Sequence, residues 1–416
     1  MSMEGFASIL QKLRTEKAPL QEALKLYTQM CGYGVEANNT LSNHMVCLFV
    51  ELETTYHHAQ RIFDKLVLRE ESSWNALIIG YVNAGDPHHA LCLYHKMKEE
   101  ERAYLSISLY ASVALLKACS IMEDIEMGRR IHSEIDNSKR CFDAGHPLIG
   151  RHLVEMYAKC GYLAKAQELH DGLLDRDVVS WTLLTSGYVE DLQFERALKC
   201  SEEMCFEGIS PNSFTVVCFL KACASIESSI KGHEMHAQII KNGCLEGNLF
   251  LGSALVNMYA KCGELGDARN VFDKLLVQNE VSWNALIAGY CDFGFGDESL
   301  VCFEEMEKRG IFLSIGTFVS ALKACSISGS RKKGEEIHSD VLKKGLEENV
   351  MVDNVLIDMY VKCFVIDAAE NVFDRIIVRD VISWTTLLTG YLECGNSKET
   401  VACFDCALHD GVDLND

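Results

Sequence analysis

The sequence predicts an all-α fold, an α-solenoid of about twelve stacked helix-turn-helix repeats. Three observations predict it. The four tryptophans recur in one context at intervals of 107, 102 and 101 residues: ESSWNALIIGY at Trp74, VVSWTLLTSGY at Trp181, VSWNALIAGY at Trp283 and VISWTTLLTGY at Trp384. Two further phrases recur between them. Apolar residues follow helical spacing, and no segment shows the period-two alternation of a half-buried strand.

The two further phrases define two more kinds of unit. The phrase LKAC occurs at 116–119, 220–223 and 322–325, and the phrase MYxKC at 156–160, 258–262 and 359–363. The order is always tryptophan unit, LKAC unit, MYxKC unit, and degenerate copies of the last two fill the N-terminal part. We therefore expect four triplets of units along the chain.

Glycines predict where the helices of each unit end, because a residue just past a helix C-terminus often adopts a left-handed conformation. First helices are expected to end at Gly85, Gly161, Gly263, Gly294 and Gly395, and second helices at Gly208, Gly243, Gly310, Gly345 and Gly411. One pair of helices cannot bury its apolar face alone, so the units must stack.

Composition narrows the class of protein. The 416 residues show no composition break, so we expect one continuous domain, and no apolar run approaches the roughly 20 residues that span a bilayer. The start lacks a secretory signal, and Glu4 and Glu16 argue against an acid-poor transit peptide. The nineteen cysteines fall at repeated helical positions, which is typical of a reduced intracellular protein.

The three phrases together resemble the pentatricopeptide repeat (PPR) proteins of the plant P-L-S subclass. The tryptophan unit is similar to the P motif, the LKAC unit to L and the MYxKC unit to S. The resemblance covers essentially the whole chain and implies a right-handed superhelix of four L-S-P triplets without a DYW deaminase domain. The expected repeats are L-like 5–38, S 40–70, P 71–108, L 109–146, S 147–177, P 178–212, L 213–248, S 249–279, P 280–314, L 315–349, S 350–380 and P 381–415.

This resemblance implies binding of single-stranded RNA, with one base selected per repeat. The selecting residues are the fifth of the first helix and the last of the repeat, both facing the concave groove. The P repeats carry Asn75 with Ser108, Thr182 with Asn212, Asn284 with Ser314 and Thr385 with Asn415; the S repeats carry Ser253 with Asn279 and Asn354 with Asp380. All twelve are small and polar, so all can bond a base edge.

By the family's code, Asn with Ser favours C or U, Thr or Ser with Asn favours A, and Asn with Asp favours U. The L repeats place Val113, Val217 and Val319 at the fifth position and are expected not to read. His44 with Glu70 and Arg151 with Asp177 depart from the pattern and receive no base. The expected order, from 5′ to 3′, is pyrimidine, two unread, A, unread, A, pyrimidine, unread, U, A.

Two further sets of residues follow from the resemblance. The apolar second residues of the first helices would sandwich the bases: Val179, Phe250, Val281, Met351 and Ile382. Lys159, Lys261 and Lys362 are candidate phosphate contacts, and solvated lysines stabilised by the helix dipole are an equally good interpretation. The tryptophans are interpreted as packing between the two helices of a repeat. His132, His236 and His338 are interpreted as core or convex-face residues rather than metal ligands.

No catalytic chemistry is expected. His132-Ser133-Glu134 matches half of a deaminase zinc signature, but it aligns with His236-Ala237-Gln238 in the next L repeat and is therefore repeat sequence. Cys403 and Cys406 match the other half, but they lie on a predicted helix without further ligands. The sequence thus predicts a non-enzyme without cofactor or metal.

The net charge of −21 opposes this interpretation, because nucleic-acid binders are usually basic. Either acids such as Glu202, Glu203, Glu304 and Glu305 lie on second helices and leave the groove near neutral, or the solenoid binds protein instead of RNA. The first alternative predicts an RNA-binding protein of mitochondrion or chloroplast that positions transcripts for an editing or processing enzyme acting in trans. The second predicts a helical-repeat scaffold for protein partners.

Overall fold

The computed structural model describes residues 3–15, 19–52, 56–100, 107–137, 146–241, 248–346 and 349–410, and these contain helices and no strand. They form two compact units, residues 1–211 and 212–416. The first unit contains α1 Met3–Thr15, α2 Leu20–Gly32, a 3-10 turn Val35–Ala37, α3 Asn39–Leu52, α4 His57–Lys65, α5 Glu71–Asn83, α6 Pro87–Glu100, α7 Leu109–Met122, α8 Ile125–Asn137, α9 Pro147–Lys159, α10 Leu163–Asp171, α11 Val178–Glu190 and α12 Phe194–Phe206.

The second unit has the same pattern. It contains α13 Ser213–Ser225, α14 Ser229–Lys241, α15 Leu249–Lys261, α16 Leu265–Lys274, α17 Glu280–Asp292, α18 Gly296–Lys308, α19 Ile315–Ser328, α20 Arg331–Lys343, α21 Val350–Lys362, α22 Ile366–Arg375, α23 Val381–Glu393 and α24 Ser397–His409. Odd-numbered helices are the first helices of the repeats, and even-numbered helices are the second.

Within each unit the helices form two layers. Each first helix packs against the first helix of the next repeat, as α7 does on α9 and α15 on α17. Each second helix packs against its own first helix and the next one, as α16 does on α15 and α17. Each pair thus buries its apolar face against its neighbour, which confirms the predicted all-α fold of stacked helix-turn-helix repeats.

Most helix ends follow the predicted glycine chemistry. Gly294 after α17 has φ +82° and Gly310 after α18 has φ +67°, and the other predicted glycines among the described residues are also left-handed. Gly243 and Gly411 lie outside the described residues. Four repeats place an exposed non-glycine residue in the slot after the first helix: Glu123 with φ +53°, Leu192 with φ +60°, Glu227 with φ +51° and Phe364 with φ +60°. A left-handed conformation costs a residue with a Cβ roughly 1 kcal/mol.

The tryptophans pack against the preceding repeat, a contact that was not predicted. Within their own repeats, Trp181 donates to Glu207 and Arg309 covers Trp283, both at the end of the second helix. The buried Trp283 on α17 meets Phe272 on α16 of the preceding repeat, with ring centroids 4.5 Å apart at 74°. Trp74 and Trp384 make the same edge-to-face contact with Phe63 and Phe373, and Trp181 with His170. The tryptophan therefore joins consecutive repeats, which explains its regular recurrence.

Small residues allow adjacent first helices to approach closely. A Cβ added at Gly289 on α17 would lie 2.6 Å from the Cβ of Ala260 on α15. A Cβ added at Gly187 on α11 would lie 2.8 Å from that of Ala158 on α9. The alanine of MYAKC (Ala158, Ala260) therefore packs against the glycine of the next tryptophan unit (Gly187, Gly289), and both must be small for the two helices to approach.

The recurring histidines have a structural partner. The hydroxyls of Tyr157, Tyr259 and Tyr360, from the MYxKC phrase, are hydrogen-bonded to Nδ1 of His132, His236 and His338 at 2.9, 2.8 and 2.8 Å. Burial lowers the pKa of all three histidines, which favours the neutral ring. Each pair links the second helix of an L repeat to the first helix of the next S repeat.

The cysteines that the structure describes are free thiols, and those of the LKAC phrase are fully buried. Burial raises the pKa of the Cys119 thiol to about 12, so it behaves as a small apolar side chain. In the same part of the chain, no cluster of three His, Cys, Asp or Glu side chains is arranged to hold a metal. None of the described helices is both long and apolar enough to cross a bilayer.

Candidate nucleic-acid interface

The fifth residue of a first helix and the last residue of the same repeat lie next to each other in three of the predicted pairs. Ser253 Oγ lies 3.1 Å from Asn279 Oδ1 and 2.8 Å from Leu249 O, so its one proton is shared between them, and Asn284 Nδ2 donates to Ser314 Oγ at 3.3 Å. Asn354 Nδ2 donates to both carboxylate oxygens of Asp380, at 3.1 and 3.2 Å. The pairs form because the last residue directly precedes the next first helix, which packs beside the one that carries the fifth residue.

The other predicted pairs vary. Asn75 Oδ1 accepts from the backbone N–H of Ser108 at 3.3 Å. The hydroxyls of Thr182 and Thr385 donate to carbonyls one turn back in their own helices, at 2.5 Å to Val178 and 2.8 Å to Val381. Asn212 is exposed at the start of the second unit, and Asn415 lies outside the described residues.

In the repeat 147–177, where the pair is not small and polar, the fifth and last residues are also in contact: the Arg151 guanidinium donates to the Asp177 carboxylate. This ion pair occupies the position that the amide and hydroxyl pairs occupy in other repeats. An arginine held by a carboxylate leaves no small polar pair in this repeat.

The last residue of each repeat has a second role as the N-cap of the next first helix. Asn279 Oδ1 accepts from Ser282 N at 2.9 Å, Asp380 Oδ1 from Ser383 N at 2.7 Å and Asn212 Oδ1 from Thr215 N at 2.9 Å. Ser, Asn and Asp are the preferred capping residues. Capping alone therefore accounts for a small polar residue at this position, and the contact with the fifth residue is the more informative observation.

Asp380 is held in its charged form. Burial opposes ionisation, but hydrogen bonds from Ser383 and Asn354 outweigh it and lower the pKa of the Asp380 carboxyl. At neutral pH this side chain is therefore an acceptor only, and the Asn354 amide must turn its NH₂ group toward it.

The second residues of the first helices form an exposed apolar set. The exposed fractions are 40% for Val179, 84% for Phe250, 61% for Val281, 63% for Met351 and 60% for Ile382. Two L repeats carry aromatic residues at the same position, Tyr110 at 68% and Phe214 at 64%, which the sequence reasoning missed. The helix that carries Asn75 has Ser72 at this position instead. Exposed apolar side chains of this kind are suited to stacking on bases.

The three candidate phosphate lysines are engaged by carboxylates. Lys159 Nζ lies 2.7 Å from Glu190 Oε1, Lys261 Nζ 2.7 Å from Asp292 Oδ2 and Lys362 Nζ 3.1 Å from Asp358 Oδ1. These pairs are exposed and individually weak. A phosphate would nevertheless have to displace the carboxylate before it gained the lysine.

A second set of lysines lacks such partners. Lys117, Lys221 and Lys323 are the ninth residues of α7, α13 and α19, the first helices of the L repeats, and they are exposed. Where the chain is described, none of the three forms an ion pair. The ninth position of a helix lies seven residues, or about two turns, after the second position. These lysines therefore share a helix face with the exposed residues at the second position. These three lysines could have been found in the sequence, because each is the lysine of an LKAC phrase.

The first S repeat has a different register from the one predicted. α3 begins at Asn39, so its fifth residue is Asn43 and not His44. Asn43 is fully buried, and its Oδ1 accepts from Glu70 N at 3.0 Å, whereas the exposed His44 bonds to Thr40 O. The Asn43 Nδ2 group donates to two backbone carbonyls, of Asn39 and Leu68. All its polar atoms are therefore used inside the protein.

Among helices α5 to α24, most of the net negative charge lies on the second helices. In α5 to α24, the first helices carry seven Lys and Arg against eight Asp and Glu. The second helices carry eighteen against twenty-six, with five acids on α18 alone. This distribution favours the alternative in which the acids leave the first-helix face near neutral.

Comparison with known proteins identifies the repeats. The profile of the PPR repeat family matches residues 176–225 and 278–326, and that of the single PPR repeat matches 72–101, 253–279 and 382–412. The chain belongs to the PPR repeat family. The matched segments cover tryptophan units, one MYxKC unit and, at 213–225 and 315–326, the first helices of two LKAC units, so the predicted resemblance is confirmed at the level of the family.

Several PPR proteins of Arabidopsis thaliana are similar over most of the chain. A chloroplastic pentatricopeptide repeat-containing protein is 31% identical over 86% of this chain and 57% of its own length. A second chloroplastic one is 34% identical over 87% and 40%, and a mitochondrial one 35% identical over 79% and 52%. The chain thus spans about half the length of these relatives.

Solved structures show the same fold. The crystal structure of the pentatricopeptide repeat protein PPR10 from maize matches with a TM-score of 0.54 at 16% identity, covering 98% of this chain and 69% of that one. PPR10 in complex with an 18-nt psaJ RNA element matches with a TM-score of 0.58 at 15% identity, covering 98% and 72%. At this level of identity the similarity concerns the fold.

Proposed function

We propose that this PPR protein binds single-stranded RNA along the exposed face of its first helices and selects one base per P or S repeat. The observation that carries the proposal is the contact between the fifth and last residues, seen at Ser253–Asn279, Asn284–Ser314 and Asn354–Asp380. Ser253 and Asn354 are buried, whereas their partners Asn279 and Asp380 are more exposed, so the last residue is the more accessible member of these pairs. A small polar pair together with an exposed apolar residue on the same helix supplies both components of single-strand recognition.

Each component has a separate chemical role. The amide, hydroxyl or carboxylate bonds the Watson–Crick edge of an unpaired base, which a duplex does not present. Val281 and the exposed residues equivalent to it would stack on the base faces, a contact that tolerates any base. Selection therefore depends on the polar pair, and affinity on the stacking residues together with phosphate contacts.

The second unit gives the most specific expectation. The pair Ser253 with Asn279 would favour A, Asn284 with Ser314 a pyrimidine, and Asn354 with Asp380 U. The L repeat between the last two, with Val319 at the fifth position, would leave its base unread. The full order corresponds to an RNA such as 5′-UCCACAUCUA-3′, in which C fills the unread positions.

We further propose that the protein acts in a mitochondrion or chloroplast and positions transcripts for an editing or processing enzyme in trans. The relatives named chloroplastic and mitochondrial support an organelle of one kind or the other. The PPR10 complex with RNA supports the ligand class, because it has the same fold. Neither points to a particular transcript or partner enzyme.

The proposed function predicts a preference for single strands. Labelled 5′-UCCACAUCUA-3′ should bind at least about tenfold more tightly than the same strand annealed to its complement, because pairing hides the base edges. It should also bind more tightly than 5′-UCCUCUUCUA-3′, in which both central purines are pyrimidines. Fluorescence anisotropy at fixed salt measures both. Equal affinity for all three would overturn the proposal and favour the protein-binding scaffold.

A second prediction concerns the unpaired lysines of the L repeats. Replacing Lys117, Lys221 and Lys323 together by glutamine should reduce the slope of log K against log salt concentration by about 2, since each phosphate contact on a single strand contributes about 0.7. Anisotropy titrations over a range of salt concentrations measure the slope.

A matched triple variant controls for net charge. Lys199, Lys308 and Lys343 are also exposed, but they lie on second helices and pair with acids of their own helix. Their replacement by glutamine removes the same charge from the other layer and should leave the slope nearly unchanged. Equal effects of the two triple variants would show that the L-repeat lysines act only through overall charge.

A further inference from the structure

The fifth-position asparagines have a partner beyond the last residue of their repeat. In three repeats the Asn Oδ1 accepts from the hydroxyl of the third residue of the next first helix. The distances are 2.6 Å from Ser73 to Asn43, 2.6 Å from Thr317 to Asn284 and 2.7 Å from Ser383 to Asn354. All three hydroxyl-bearing side chains are fully buried.

The clearest case is a closed ring of three side chains. Thr317 Oγ1 accepts from the backbone N–H of Ser314 at 3.1 Å, so its own proton is available for Asn284 Oδ1. Asn284 Nδ2 donates to Ser314 Oγ at 3.3 Å, and Ser314 Oγ lies 3.0 Å from Thr317 Oγ1, to which it can donate. The amide oxygen of Asn284 and one of its N–H groups are thus engaged, and one N–H remains.

In the repeat 350–380 the arrangement has an additional acceptor. Ser383 Oγ lies 2.7 Å from Asn354 Oδ1 and also 2.7 Å from Asp380 Oδ1, so two oxygens share one proton. The amide orientation is fixed here by the carboxylate of Asp380 as well. The pyrimidine-type repeat 280–314 has no such carboxylate, and its amide depends on Thr317.

Two other repeats provide natural contrasts. Asn75 is followed in the next first helix by Ala111 at the third position, which has no hydroxyl. Among the described residues, Asn75 Oδ1 has only the 3.3 Å contact from Ser108 N. After Ser253, which has no amide, the hydroxyl of Ser282 turns to Asn279 O at 2.9 Å. The ring therefore forms where an asparagine and a following Ser or Thr coincide.

We propose that Thr317 is a specificity-determining, positioning residue for the base read by Asn284 and Ser314. By holding the amide oxygen inside the protein, it presents only N–H to the RNA, which suits the O2 carbonyl of uracil and cytosine. A released amide can rotate and offer its oxygen to the N6 amine of adenine. Reading at this repeat then needs three residues, one of them from the next repeat. This proposal rests on the proposed function.

The test uses the full chain and four RNAs that differ from 5′-UCCACAUCUA-3′ only at the seventh position, with U, C, A or G. Wild type should favour U and C over A. Thr317→Val keeps the shape of the side chain without the hydroxyl. It should reduce the pyrimidine-to-adenine affinity ratio at this position by about threefold to tenfold, the worth of one hydrogen bond. Thr317→Ser should preserve the ratio.

Two comparisons separate positioning from a general loss of structure. The preference at the sixth position, assigned to Ser253 and Asn279, should be the same in Thr317→Val and wild type. Ala111→Ser should add the missing hydroxyl next to Asn75 and raise the pyrimidine-to-adenine ratio at the first position. This gain does not depend on whether Thr317→Val folds well.

The outcomes are distinct. An unchanged ratio in Thr317→Val with no gain in Ala111→Ser overturns the proposal while RNA binding stands. An equal loss of affinity for all four RNAs shows that Thr317 is only structural, and also overturns it. If wild-type protein binds none of the RNAs, the proposed function fails first.

Discussion

Replacing Trp283 by alanine is expected to lower the free energy of unfolding by about 3–5 kcal/mol, the usual cost of removing a large buried aromatic side chain. The indole is fully buried between consecutive repeats, edge to face with Phe272. The Arg309 guanidinium covers it at 5.1 Å from the ring centroid. Alanine would leave a cavity where α16 meets α17 and would remove the contact that joins the two repeats.

Urea unfolding followed by circular dichroism measures this change. Trp283→Phe should cost clearly less, because Nε1 of Trp283 has no hydrogen-bond partner among the described residues and phenylalanine loses no polar contact. Phe250→Ala is the matched control: its ring is 84% exposed on the same unit, so its removal should change stability by less than about 0.5 kcal/mol. Similar losses for Trp283→Ala and Phe250→Ala would contradict the packing role.

Much of the fold could be predicted because repetition gives several independent readings of the same unit. The helical spacing of apolar residues predicted the first and second helices, and the glycines predicted where these helices end, as at Gly294 and Gly310. Periodicity, however, indicates which face of a helix is buried and not which neighbour covers it. For that reason the contact of Trp283 with Phe272 of the preceding repeat was not predicted.

The candidate site was less predictable, because it depends on side-chain contacts across repeat boundaries. The fifth and last positions could be found by counting along helices, but an N-cap and a base reader look alike in sequence. In the degenerate S repeat, the shift from His44 to Asn43 follows from the point where α3 begins, with Asn38 at its cap. The ion pair of Lys159 with Glu190 joins residues 31 positions apart, and no local pattern indicates it.

Exchanging one proposed base-reading pair for another is expected to exchange the preferred base. The double variant Asn354→Ser with Asp380→Asn gives the S repeat 350–380 the pair found in the S repeat 249–279. Its preference at the ninth position of 5′-UCCACAUCUA-3′ should change from U to A. The ratio of the two affinities should shift by about tenfold to a hundredfold, because a well-made side-chain contact to a base discriminates by about 1–3 kcal/mol.

The structure favours this exchange being tolerated. Asparagine caps a helix about as well as aspartate, so α23 keeps its N-cap. The third residue of the next first helix is serine in both repeats, and after Ser253 the Ser282 hydroxyl already bonds to the backbone of the cap residue at 2.9 Å. Ser383 can therefore make the same bond when the Asn354 amide is absent. Anisotropy with RNAs carrying U or A at the ninth position measures the change.

The reciprocal variant tests whether the pair alone carries the preference. Ser253→Asn with Asn279→Asp should change the preferred base at the sixth position from A to U and leave the ninth unaffected. If both double variants fold and bind but keep the wild-type order of preference, the fifth and last residues do not select the base. The last residue would then serve only to cap the next first helix, and the fifth residue only to contact that cap. If each double variant changes the preferred base only at the RNA position assigned to its own repeat, the fifth and last residues determine the preference, because exchanging the residues exchanges the preferred bases.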